Sequence, residues 1–535
     1  MITDKKNPYR GTSLGLYFTT INKLDIQNNA SIDSWLDTQN TTINQVDINS
    51  QNVAGFHLKG GTRIKTIDLK SGGLMRSVLM RGNASIETIN IEGTLAGWSA
   101  YGGINNQGGK INTINVKQGG KIEQGIRNNN RGKINTITVK QGGIIHNGVR
   151  NNNNGTIQTL TISGGQVQGG VNNNGTLNKL DLSNGTINGG ITNNRTMGSI
   201  SVSDGTVNGN IVNSGTNAST GPISITGTSS VSGSIVNQNG ANFTSNITLD
   251  ANSKLGGITN TQGSTMGGTL NLSGEVGTIS NSGTFNSTLT LNNKVGTIEN
   301  KQGGTISNDI TINNNGSVGT LANSGTMQNI TIQQQGKVEN ITNSGTIKAI
   351  TNNGTVTLTL TNSGGTIDKV TNATGATATI HNTGTINNEI ENKGTATITN
   401  SGGTIDKVTN ATGATATIHN QGKITKGIIN DGGTLTVVND FRRTEGIKDF
   451  QTIGEIGKTA NGVHIENKKG KLNIPIWYFN KEEYTTAEER KNNALLVDGD
   501  YANISLENAF VSTHNLDVDE TYDAYSLIAD KNGNS

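Results

Sequence analysis

The chain has 535 residues, of which 30% are hydrophobic and 4% aromatic, with 74 glycines, 3 prolines and no cysteine. Absent cysteine excludes a disulfide framework and any thiolate metal site. The formal net charge of +3 is too small for the strongly charged composition of a disordered chain, and no stretch approaches the ~18 apolar residues of a membrane-spanning helix.

Residues 1–20, with Tyr9, Tyr17 and Phe18, form a candidate N-terminal cap. Their start, MITDKKNPYR, lacks the apolar run of a signal peptide. Gly11-Thr12-Ser13-Leu14-Gly15 matches GxSxG, but a nucleophile elbow must follow a strand and open a helix. Here it precedes the first repeat, so it reads as a chance match.

From residue 21 one pattern recurs: apolar, two others, apolar, one other, apolar. It begins at Ile21, Ile43, Ile64, Ile86, Ile111, Ile134, Ile157, Leu177 and Met197, a mean step of about 22 residues. Each unit reads as strand, turn, strand, turn. In KINTINVKQGGKIEQGIRNNNRG (110–132), Ile114 and Val116 alternate with polar neighbours, as on a strand with one buried face. Gly119-Gly120 turns the chain, and Ile122 and Ile126 mark a second strand. About 20 residues leave no room for a helix and fall short of the ~40 residues of a four-stranded propeller blade. The pattern predicts an all-β parallel β-helix, roughly 20 coils over residues 21–440, with isoleucine stacked on isoleucine inside. Stacked asparagines are expected to form amide ladders.

Two surface features stand out along this stretch. The step from Ile91 to Val116 is the longest, 25 residues, and its extra residues lie near Gly97-Trp98-Ser99-Ala100-Tyr101. Trp98 and Tyr101 are candidates for stacking on a sugar or a partner protein, or else fold back onto the coil. Aligned repeats also stack cations: Lys70, Lys117 and Lys140 in one column, Lys110 with Lys133, and Arg127 with Arg150. With Lys121 and Arg131 they form a basic ridge opposed only by Glu123, suited to anionic glycans or lipopolysaccharide. The same cations also discourage association of strand edges.

Further along the repeats shorten. Gly325, Gly345, Gly365, Gly384 and Gly403 are spaced 20, 20, 19 and 19. TNSGGTIDKVTNATGATATIHN occurs at 361–382 and again, unchanged, at 399–420, which is 38 positions or two rungs of 19. Copying explains the paired Asp368/Asp406 and His381/His419. Acids between residues 100 and 440 are sparse and out of register; Asp181 and Asp204 are close in phase but not equivalent. There is no HExxH or other metal spacing, so neither catalysis nor a metal nor a cofactor is expected.

Residues 441–535 change character. Charge rises, aromatics return in NIPIWYFN (473–480), 481–496 suits one helix, and Asn503–Leu506 alternates like a strand. DVDETYD (517–523) lacks the glycine and glutamate of a calcium loop. The region reads as a mixed α/β cap or junction module.

The NSGTI-type units, such as Asn343-Ser344-Gly345-Thr346-Ile347, and the cysteine-free, Gly/Asn/Thr-rich repeats over roughly 20–440 resemble the passenger regions of type V autotransporters, large adhesins in particular. The resemblance implies a right-handed parallel β-helix displayed on a bacterial surface at the outer membrane, or released from it. It implies an adhesin acting through a rigid rod, with a host-cell glycan or protein, or another copy of the chain, as partner, and no nucleic acid. Some passengers are toxins, and other β-helices process glycans; these are the alternatives. A full-length autotransporter also carries a C-terminal barrel, which these residues do not show, so the chain would be a passenger or part of one.

Overall fold

The computed structural model describes residues 14–28, 30–97, 102–152, 154–443, 450–479, 495–499, 503–511 and 528–532. Among these there is no α-helix. One hairpin, Phe441–Arg443 with Phe450–Thr452, is antiparallel; the sheets are otherwise parallel. The chain divides into two compact units, residues 1–278 and 279–535. Each is a parallel β-solenoid, and the chain contains about 20 turns in all.

In the first unit, the nine repeat strands stack in one sheet, here called the repeat sheet. They begin at Thr20, Thr42, Arg63, Ser85, Lys110, Lys133, Thr156, Thr176 and Thr196. The register places like on like: Ile111 on Ile134, Ile114 on Ile137 and Val116 on Val139. These side chains are fully buried. Apolar side chains point in because period-2 alternation on a strand puts every second residue on one face. A rung is too thin to enclose them alone, so burial comes from the rungs on either side.

The opposite wall is a single strand in some rungs, such as Asn52–Leu58 and Leu74–Arg81, and split in others. Lys121–Ile122 and Ile126–Asn129 lie on either side of a bend at Gly125. Gly125 has φ of 70°, and a Cβ there would come within 2.5 Å of the carbonyl oxygen of Gly148 in the next rung. Only glycine meets both demands. Leu14–Tyr17, within the expected N-terminal cap, pairs with Leu36–Gln39 as a strand. The described end of the GxSxG match therefore lies in a strand, without the helix that a nucleophile elbow needs.

In the second unit the rungs from Thr326 to Asn400 have two long strands each, and the rungs on either side have one wall split. One sheet contains Leu358–Asn362, Thr377–Asn382, Thr395–Asn400, Thr415–Asn420 and Thr434–Asn439. The facing sheet contains Thr366–Asn372 and Thr385–Asn392, then Thr404–Ile405 with Val408–Asn410. Thr366 pairs with Thr385, and Thr385 with Thr404, so the 38-residue duplication spans two rungs.

Parallel stacking does not stop where composition changes at Phe441. Glu455–Ile456 pairs with Lys423–Ile424, Ile465–Asn467 with Ile428–Asn430, and Lys471–Phe479 with Thr434–Asn439. Of the helix expected over 481–496, residues 481–494 lie outside the described residues, as does DVDETYD. Leu495 and Leu496 belong to a strand, Leu495–Gly499, paired with Ile465–Asn467. Among the described residues of 441–535 the regular structure is β-strand.

Candidate functional site

The surface is organised by the corners where one sheet hands the chain to the other. In the first unit the corner leading into the repeat sheet is built on asparagine, in four rungs as the pairs Asn128-Asn129, Asn151-Asn152, Asn173-Asn174 and Asn193-Asn194. The first Asn of each of these pairs points inward. Asn106, Asn128, Asn151, Asn173, Asn193, Asn213, Asn237 and Asn260 form a buried ladder, each Nδ2 donating to the next Oδ1 at 2.8–3.2 Å. The second Asn points outward. Asn194, Asn174, Asn152 and Asn129 form a parallel outer ladder at 2.6–3.1 Å. The inner amides also donate to turn carbonyls, as Asn128 does to Gly132 at 2.8 Å. The inner ladder fixes the corner, because a buried amide left unpaired costs about 1–3 kcal/mol; the outer ladder, open to water, adds less.

On this fixed corner sit Lys110, Arg127, Arg131, Lys133 and Arg150. Lys110 and Lys133 are register partners at the start of the repeat strands, and Arg127 and Arg150 are register partners on the split wall. Arg131 lies in the turn between them, with φ of 67°. Arg127 is half-buried; the other four are exposed. Among the described residues no carboxylate pairs with Lys110, Arg131, Lys133 or Arg150. Two exposed cations one strand spacing apart (~4.8 Å) repel by about 1 kcal/mol in water, so this corner carries uncompensated charge that an anion relieves.

The expected single ridge is thus two corners. Lys70, Lys117 and Lys140 lie at the other end of the repeat strand, seven residues or ~23 Å from Lys110 and Lys133. That corner is partly neutral. Lys117 pairs with Glu92 at 2.8 Å, and Lys70 with Asp68 at 3.1 Å and Asp47 at 3.9 Å. Only Lys140 of that column lacks an acid among the described residues. Glu123, expected to oppose the ridge, instead faces His146 at 3.6 Å. Trp98 and Tyr101 lie outside the described residues.

The acids do not assemble a reaction centre. Asp181 pairs with Lys179 at 2.7 Å. Asp204, at a turn with φ of 50°, accepts from the Thr228 amide at 2.9 Å and its hydroxyl at 3.1 Å, which hold its carboxyl below the usual range. Among the described residues no group of three or more potential metal ligands occurs.

In the second unit, charge gathers on the sheet containing Thr366–Asn372. Lys369 and Lys407 are the same residue of the duplicated segment, two rungs apart, and the rung between them carries Glu389 and Glu391. Lys369 reaches Glu389 at 3.4 Å and Glu391 at 2.9 Å; Lys407 reaches Glu389 at 3.0 Å, and Lys393 reaches Glu391 at 2.7 Å. Burial raises the Glu389 pKa, but bonds from Thr409 and Lys407 outweigh it and leave the carboxyl below its ordinary range. Lys393 and then Lys369 lower that of Glu391. His381 and His419 are on the opposite sheet, away from these acids, with Thr399 between them in register.

No family model, curated protein or solved structure matches the chain. The chain's class therefore rests on its own structure, a parallel β-solenoid repeat protein.

Proposed function

We propose that this chain is a non-catalytic binding protein of the autotransporter-passenger type, displayed on a bacterial surface or released from it. It acts as an adhesin, its cationic corner docking on an anionic host glycan. The observation that carries this reading is the corner itself, where Lys110, Arg131, Lys133 and Arg150 are stacked, exposed and unopposed on a turn held by two amide ladders. A stiff cationic edge meets a polyanion without first paying to order its own side-chain platform. Surface attachment also accounts for a chain that spends its length on repeated rungs and on few buried acids.

The test is retention on immobilised heparin, with parallel attachment of the soluble protein to cultured cells. Retention should fall with salt, since exposed charges are screened within ~10 Å at 0.1 M. Lys110→Glu with Lys133→Glu should abolish it, while Lys117→Glu with Lys140→Glu, at the half-neutralised corner, should weaken it less. Equal retention of the first variant and the parent chain would refute the reading. Attachment with loss of cell viability would favour a toxin instead.

A further inference from the structure

In the second unit, one stretch of sheet, from Leu358 to Asn439, presents a neutral outer face. Its five strands read LTLTN, TATIHN, TATITN, TATIHN and TLTVVN, without one Asp, Glu, Lys or Arg. Alanine, leucine, isoleucine and asparagine point inward and are buried. What remains outside is a grid. Thr359, Thr379, Thr397, Thr417 and Thr436 are one register column. Thr377, Thr395, Thr415 and Thr434 are the column on one side of it. On the other side Thr361, His381, Thr399, His419 and Val438 follow one another. All are at least part-exposed. Among the described residues none of these hydroxyls or imidazoles has a hydrogen-bond partner within the chain.

The facing sheet of the same rungs carries the Lys369–Glu389–Lys407 network, so charge is segregated to one side and the other is neutral. The neutral grid measures ~19 Å along the stack and ~13 Å across, or about 250 Å². A stable protein interface buries about 800 Å² on each partner, so a second copy of the chain seated here would be held too weakly. The grid suits a narrow, uncharged, hydroxyl-rich polymer. Its third column alternates Thr, His, Thr, His, so the imidazoles recur every two rungs, ~9.6 Å. In a β-1,4-linked glycan each sugar is flipped relative to the last, and the same sugar edge returns after two residues, a distance close to two strand spacings. We infer that this face binds a neutral β-1,4-linked glycan lying along the stack, with alternate sugars against His381 and His419 and their hydroxyls bonded to the threonine columns. This site is separate from the cationic corner, and the two-rung duplication is what creates its period.

The experiment is retention of the full chain on insoluble chitin and on cellulose, the two common sources of this linkage, at high salt, where the cationic corner is screened. Binding to either, competed by the matching soluble β-1,4 hexasaccharide and not by maltohexaose, is the expected result. The exposed double change His381→Ala with His419→Ala should weaken it about tenfold, a change of about 1.4 kcal/mol. Thr397→Val with Thr417→Val, which keeps shape and strand preference, should also weaken it. Lys110→Glu with Lys133→Glu should leave it unchanged. The inference is overturned if the parent chain is retained on neither polymer, if maltohexaose competes equally, or if the His381/His419 variant binds as the parent does. It is also overturned if sedimentation shows a dimer that the threonine changes dissolve.

Discussion

Replacing Asn151 by alanine tests whether the inner ladder, rather than apolar contact alone, holds the rungs together. Asn151 Nδ2 donates to Gly155 O at 3.0 Å, Asn173 Oδ1 at 2.8 Å and Thr176 O at 2.9 Å, and its Oδ1 accepts from Asn128 at 2.8 Å. The amide has two hydrogens for its three acceptors, so about three hydrogen bonds vanish among buried partners. At about 1 kcal/mol each, with water unable to replace them, the local cost is about 3 kcal/mol. Asn152 makes a comparable pair, to Asn129 at 3.1 Å and from Asn174 at 2.8 Å, but on the outer side. There water takes over, and Asn152→Ala should cost less than about 1 kcal/mol. A long solenoid is not two-state, so the suitable assay is local amide hydrogen exchange followed by mass spectrometry. Asn151→Ala should speed exchange across the neighbouring rungs by about two orders of magnitude, about 1.4 kcal/mol per decade, and Asn152→Ala by less than about tenfold. If both variants exchange alike, or if the effect is not confined to nearby rungs, the ladder is not what secures this wall.

Two further outcomes follow from the second unit. Burial pushes the His464 pKa down to about 4, and its Nδ1 accepts the Leu496 amide at 3.0 Å. Since the unfolded pKa is ~6.5, the stability that comes from keeping the buried ring neutral is complete above that pH and is lost as pH falls toward ~4, a change of about 3 kcal/mol; exchange in Leu495–Gly499 should rise over that window, and flat exchange there would refute it. Glu389→Lys should loosen the rungs between 366 and 410 by about 1–2 kcal/mol after solvent screening, and adding Lys369→Glu with Lys407→Glu should recover most of it, read as protection of the same peptides.

The repeat was legible because each rung buries one side of each strand, and that periodicity survives in sequence even at low hydrophobic content. Register followed from it: Ile111 over Ile134 needed no tertiary information. The charged surface was less legible. Stacking by alignment brought Lys110 beside Lys133, but strand length, not alignment, puts Lys117 and Lys140 ~23 Å away at another corner. Glu92 precedes Lys117 by 25 residues, across the longest step of the series, where no local pattern signals the pair. The run Asn128-Asn129-Asn130 signalled a ladder, but which amide faces inward depends on the turn, and two ladders were found where one type was expected. Beyond Phe441, local preference misleads: Leu495 and Leu496 suit a helix in isolation, yet they pair with Ile528 and Ala529 in a strand whose next residues, Val497–Gly499, pair with Ile465–Asn467. The neutral grid needed the two strands of a rung to be assigned to opposite sheets before its lack of charge became visible.

The sandwiching of Glu389 between Lys369 and Lys407 gives the second unit a parity. Removing 38 residues deletes one lysine rung together with one glutamate rung, and the joined ends meet neighbours of the kind they had before. Removing a single 19-residue rung would set Lys369 on Lys407, Asp368 on Asp406 and His381 on His419. Lengthening and shortening here are therefore tolerated in even steps, and a lineage that varies this stretch by unequal crossing-over should retain members differing by whole pairs of rungs and lose those that differ by one.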